Sequence, residues 1–129
     1  MLDETAIQDF FTTYGRALAA GDLDGITACY SYPAYVAGDA QSIAIDAPNE
    51  VKHAFSGAAE QYRKRGLFAA VPEVRAGEAL TDSLVWADVR WSYTDRDGAE
   101  QESSSFRYVL RVTAESVRIC VVVAAAVEL

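Results

Sequence analysis

The chain has 129 residues, of which 51% are apolar, and carries a formal net charge of −8. That length suits one domain, residues 1–129, with a real hydrophobic core. The acidic balance repels phosphate backbones and anionic membrane surfaces, so nucleic acid and membranes are not expected as partners.

The first ten residues include Asp3, Glu4 and Asp9 and no basic side chain, so no secretory signal is expected. Ala6, Ile7, Phe10, Phe11, Tyr14 and Leu18 recur at the spacing i, i+3, i+4, i+7, which predicts an amphipathic helix over residues 3–20. Gly21 can take the left-handed conformation that ends such a helix. The following Asp22-Leu23-Asp24-Gly25 has a faint calcium-loop look, but the glycine comes too early and Pro33 stands where a bidentate glutamate belongs. Asp22 instead suits the cap of a second short helix with Leu23, Ile26 and Tyr30 on its apolar side, closed by Pro33.

Short strands are predicted near Ala34–Ala37 and Ser42–Ile45. A third helix is predicted from a cap at Asn49 to about Arg65, with Val51, Ala54, Phe55, Ala58 and Tyr62 on its apolar face and Gly66 at its end. His53, the only histidine, projects away from that face and reads as a surface residue. From Leu67 the period becomes two. Residues 83–94 place Val85, Ala87, Val89, Trp91 and Tyr93 on one face, and Leu84, Trp86, Asp88, Arg90 and Ser92 on the other. Asp97-Gly98 is a hairpin turn. Residues 101–113 then alternate Phe106, Tyr108, Leu110 and Val112 against Arg107, Val109 and Arg111, and a last strand is predicted over Val117–Val127. Cross-strand ion pairing is expected where Asp88 and Arg90 share a face with Arg107 and Arg111.

Helices first and a long antiparallel meander afterwards predict an α+β fold: a cone-shaped barrel of three N-terminal helices packed on a curved, mostly antiparallel sheet. The run Ile119–Val127 is less than half a membrane span. Cys29 and Cys120 lie in apolar surroundings and read as buried free thiols of a cytoplasmic protein. No zinc spacing, GxSxG, phosphate loop or dinucleotide fingerprint is present, so no metal and no cofactor is expected. The last strand is apolar on both sides beyond Arg118. Trp86, Val109, Cys120, Val122 and Ala124 are read as an outward apolar patch, which predicts a homodimer through the outer sheet face.

The stretch YGRALAAGDLDGITACY, followed by WSYTDRDG, FRYVLRV and a final apolar strand, resembles the nuclear transport factor 2-like superfamily. That group includes the ketosteroid isomerases and the SnoaL-like polyketide cyclases. In the isomerases a tyrosine on helix one is an oxyanion donor, which matches Tyr14. The base position matches Gly38, with Asp39 one residue on, and the second donor falls near Tyr108. From the residues alone, Tyr14 is either a core tyrosine or the donor at the floor of a pocket. Asp39, in AGDAQ, is a turn carboxylate unless it faces such a pocket. The resemblance implies a mostly apolar cavity between helices and sheet lined by Tyr14, Tyr30, Trp91 and Tyr108. The expected function is small-molecule binding. The alternatives are an isomerase- or cyclase-like enzyme on an enolisable carbonyl compound, with Tyr14 as oxyanion donor and Asp39 as base, and a non-catalytic structural homodimer module.

Overall fold

The computed structural model describes residues 3–124. Helix α1 spans Glu4–Ala20 and starts where the Asp3 carboxylate accepts the Ala6 N–H at 3.1 Å. It stops at Gly21, whose φ of 70° lets the Asp22 N–H turn back to the Ala17 carbonyl at 3.0 Å. Asp22 at once caps α2, Leu23–Thr27, by accepting the Gly25 N–H at 3.0 Å. The stop-and-start reading of this junction holds. The second helix is shorter than expected, because the Cys29 carbonyl accepts the Ile119 N–H at 2.7 Å and draws the chain into the sheet. Tyr30 therefore opens strand β1, Tyr30–Ala37, and Pro33 lies inside that strand rather than closing a helix.

Strand β2 is Ser42–Ile45. The third helical stretch is interrupted: α3 covers Pro48–Phe55 and α4 covers Ala58–Lys64, parted at Gly57, whose φ is 81°. Apolar spacing runs straight through this break, so periodicity could not reveal it. The cap sits at Ala47, not Asn49, with Pro48 at the first helical position and Glu50 accepting the Asp46 and Ala47 N–H groups at 2.7 and 3.0 Å. Ala54, expected on the apolar face, is exposed, whereas Val51 is fully buried.

Strands β3 (Ala69–Ala79), β4 (Leu84–Thr94), β5 (Glu100–Val112) and β6 (Val117–Ala124) complete one curved sheet in the order β2-β1-β6-β5-β4-β3. Only β1 and β6 pair in parallel. The sheet is not closed, since β2 and β3 are its edges. Val85, Ala87, Val89 and Trp91 on β4, with Tyr108 and Leu110 on β5, are buried toward α1, as the alternation predicts. Where α1 crosses β3, a side chain at Gly15 would put its Cβ 2.5 Å from the Ala70 carbonyl oxygen, so only glycine allows this approach. Beside it Gln8 stands in for a missing strand neighbour. Its amide donates to the Pro72 carbonyl at 3.0 Å and accepts the Val74 N–H at 3.1 Å, which covers part of the open edge.

Two bulges change the outer face. On β6, Val109 opposes Val121 but Leu110 opposes Ile119, leaving Cys120 as an extra residue. Side-chain parity reverses there. Val121 and Val123, not Val122 and Ala124, share the outer face with Trp86 and Val109, while Cys120 is buried. The part of the predicted strand at residues 125–127 lies outside the described residues. On β3 the extra residue is Arg75, and it reaches Asp88 at 3.0 Å and Ser105 at 3.1 Å. Arg90 forks onto Glu100 at 2.8 and 2.9 Å. The ion pairs on this face thus take Arg75 and Glu100 as partners instead of Arg107 and Arg111. Arg107 sits over the Trp86 ring at 5.9 Å.

Candidate functional site

Tyr14, Tyr30, Trp91 and Tyr108 come from α1, β1, β4 and β5 and meet beneath α1, each at most 4% exposed. Tyr14 lies one helical turn beyond Phe10 and Phe11, so α1 delivers three aromatics to the sheet. The Tyr14 ring meets those of Tyr30 and Trp91 edge-on, both at 5.9 Å, and Phe11 packs on Tyr108 at 4.7 Å. Two hydrogen bonds join the polar tips. The Tyr14 and Tyr30 hydroxyls lie 2.6 Å apart, and the Trp91 indole N–H donates to the Tyr108 hydroxyl at 2.9 Å.

The donors do not balance the acceptors. In the Tyr14–Tyr30 pair one O–H is given and the other is kept. Tyr108 accepts from Trp91 and still holds its own proton. Among the described residues no acceptor takes either remaining O–H. Burial pushes all three phenols upward: Tyr14 well above the ordinary tyrosine range, Tyr30 to about 12, and Tyr108 upward against the Trp91 hydrogen bond that lowers it. At neutral pH these groups are neutral donors and cannot serve as bases. Burial also raises the Cys29 thiol to about 11, which leaves it protonated and unreactive.

Beyond Tyr108 the inner face opens. Tyr108 pairs with Val122, Val122 with Val36 and Val36 with Ile43, so these side chains share that face. Exposure rises along the row from 3% at Tyr108 to 52% at Ile43. Apolar surface therefore leads from solvent toward the aromatic cluster.

Asp39 is elsewhere. It lies exposed in the turn between β1 and β2, where the Gly38 N–H bonds the Gln41 carbonyl at 2.9 Å. His53 is exposed. Among the described residues no three His, Cys, Asp or Glu side chains are grouped as a metal ion would require, and no helix is long and apolar enough to cross a membrane.

Two clefts flank α1 without touching the cluster. One, about 450 Å3, lies between the first turns of α1 and Val74–Gly77. The other, about 540 Å3, lies between the C-terminal half of α1, Arg63 and Phe68–Pro72. Sequence reasoning missed both, and the second shows why. Arg16, Arg63 and Phe68 are separated in the chain and carry no shared motif.

Residues 3–127 match the model of a family described as NTF2-like protein (DUF6841). No curated protein matches the sequence. Solved structures share the fold at low identity. An NTF2-like protein with a cystatin-like fold from Novosphingobium aromaticivorans superposes with a TM-score of 0.74 at 14% identity, covering 98% of this chain and 82% of its own. An NTF-2-like protein of unknown function from Shewanella oneidensis gives 0.70 at 12%, covering 95% and 98%. The beta subunit of a proposed aromatic-ring-hydroxylating dioxygenase from N. aromaticivorans gives 0.68 at 15%, covering 98% and 90%. With a family model matched over nearly its whole length and the same helix-then-curved-sheet architecture, this chain belongs to the NTF2-like family DUF6841.

Proposed function

We propose that this protein is a cytoplasmic, non-catalytic small-molecule binder whose polar anchor is the Tyr14–Tyr30–Tyr108 hydroxyl cluster. The observation that carries this reading is the surplus of buried O–H donors. Each of the three hydroxyls has one hydrogen-bond partner, yet among the described residues only one of the three O–H protons is matched to an acceptor. The ligand class that answers them is an aromatic or alicyclic compound bearing a carbonyl or hydroxyl oxygen. Its apolar body would follow the Ile43–Val36–Val122 row, and Trp91 would wall the inner end. Proton abstraction by Asp39 is not part of this proposal, because that carboxylate is exposed in the turn between β1 and β2.

Titration with 2-acetylnaphthalene, followed by tryptophan fluorescence of a Trp86→Phe variant that leaves Trp91 as reporter, tests the reading. Saturable quenching is expected, and Tyr108→Phe should weaken binding by about 0.5–1.5 kcal/mol, the net value of one neutral hydrogen bond. Unchanged affinity in both Tyr108→Phe and Tyr14→Phe would overturn it.

A second observation supports self-association. Trp86, Val109, Val121, Tyr35 and Ala44 stand opposite one another across adjacent strands, an apolar row over the outer face with Tyr35 47% exposed. A homodimer covering that row is expected to scatter light as twice the 14.0 kDa chain at micromolar concentration. The single-chain mass would count against it.

A further inference from the structure

The cleft of about 540 Å3 beside α1 has a chemistry opposite to that of the whole molecule. The chain carries a net charge of −8, yet the charged side chains lining this cleft are Arg16 and Arg63 alone. The rest of its lining is mostly small or apolar, with Phe68 and the edge-strand residues Ala69, Ala70, Val71 and Pro72, while Gln8 and Thr12 of α1 add polar groups. We infer that the cleft binds a small organic carboxylate with an apolar tail, the carboxylate held by Arg16 and Arg63 and the tail lying along Phe68, Ala69 and Val71.

Arg63 is already held in place. Its guanidinium donates to the Ala19 carbonyl at 2.7 Å and the Leu67 carbonyl at 3.1 Å, and it stacks on Phe68 at 5.0 Å. A guanidinium has five N–H donors, so others remain for a ligand, and its fixed position spares the ordering cost of a free side chain. The bond to Ala19 also occupies a carbonyl at the negative end of α1 that would otherwise repel an anion. Arg16 lies one turn before Ala19 on the same side of the helix. Arg65, Arg75 and Arg90 all rest on carboxylates, whereas Arg16 has no ionic partner among the described residues. Arg96 stacks on the same Phe68 ring at 4.5 Å and adds to the positive potential at that end.

Two guanidinium forks lining one mostly apolar trough match a planar carboxylate on a hydrocarbon body better than an inorganic anion, which would leave Val71 and Phe68 uncovered. The volume falls within the range of small-molecule sites. None of the residues proposed above for the hydroxyl-bearing ligand lines this cleft, so the inference is independent of that reading.

Titrating 15N-labelled protein with 4-phenylbutyrate tests it, with 4-phenylbutan-1-ol as the uncharged control. Saturable shifts are expected at the amides of Arg16, Ala19, Ala20, Ala69 and Val71, with the alcohol binding about tenfold more weakly than the acid, the order expected for losing a charge-assisted pair. Arg16→Gln should weaken the acid by about tenfold and leave the alcohol unchanged. Arg16 is exposed, so the variant should fold as the parent does. Shifts that fail to saturate, shifts confined to the aromatic cluster, or equal affinity of the acid for parent and variant would overturn the proposal.

Discussion

Strand β4 carries both tryptophans of the chain, and they occupy opposite environments. Trp91 is 2% exposed, its N–H spent on Tyr108 and its ring against Tyr14 and Phe11. Trp86 stands on the outer face, half-buried, with Arg107 over its ring. Around Trp91 the inner face is uncharged and buried, so its energetics are set by packing volume and by whether each hydroxyl finds a partner. The outer face is wet. There charges pair at the surface beside an apolar row. One strand thus presents two unlike faces, which we propose to be a ligand-facing side and an assembly-facing side, and the same residue type has different surroundings on each.

The strongest way to break this contrast is to truncate the two rings in turn. Trp91→Ala should destabilise the fold by about 3–5 kcal/mol in urea denaturation, as large core truncations do. Trp86→Ala, read under conditions where the chain is monomeric, should cost under about 1 kcal/mol, within the spread of surface changes. Equal losses would show that the faces do not differ as described.

Alkaline pH tests the inner face as a group. Folding raises the Tyr14, Tyr30 and Tyr108 phenols above the ordinary tyrosine value of 10.0, Tyr30 to about 12. The unfolded chain therefore loses those protons first. The stability they contribute is fully present below pH 10 and is lost as pH rises toward 12 and beyond. Midpoints in urea should hold steady between pH 7 and 8, fall slightly near pH 9 as the unfolded Cys29 thiol ionises, and fall steeply above about pH 10. A Tyr30→Phe variant should fall less steeply, and an identical profile would sink the assignment.

Gly15→Ala probes the floor shared by the aromatic cluster and the arginine cleft. The new methyl would press on the Ala70 carbonyl and sit 2.9 Å from the Trp91 ring. A loss of about 1–3 kcal/mol is expected from overpacking. Thermal melts that show no loss would mean that α1 and β3 are further apart than described.

The smallest expected effects involve single polar contacts. Tyr14→Phe and Tyr30→Phe should each cost about 0.5–1.5 kcal/mol, and the double variant less than their sum, because they share one hydrogen bond. On the outer face, Asp88→Asn, which weakens the pair with Arg75, should cost about 0.2–1 kcal/mol and lose that effect in high salt.

Much of this was legible in the residues themselves. The spacing of Ile7, Phe11, Tyr14 and Leu18, the Gly21-Asp22 junction, and the alternation of Val85 to Trp91 and of Phe106 to Leu110 are local patterns. Each is set by backbone geometry within a few residues, and each appears in the structure where it was read. That Tyr14, Trp91 and Tyr108 face one another follows from those patterns once helices are laid on the sheet. Tyr30 joined them by another route. Its helical spacing from Leu23 and Ile26 was coincidental, and the bond between Ile119 and Cys29, about ninety residues apart, made it a strand residue instead.

What the tertiary structure alone decided depends on partners far along the chain. Cys120 became a bulge because β5 and β6 pair in a particular register, and one extra residue then sent Val121 outward and Val122 inward. Arg75 took Asp88 for the same kind of reason on β3. The cleft of Arg16, Arg63 and Phe68 exists because α1 presses onto β3 at Gly15 while α4 brings Arg63 to the end of α1. Periodicity reports which side of its own element a residue occupies. Only the packed chain determines which other element stands across from it.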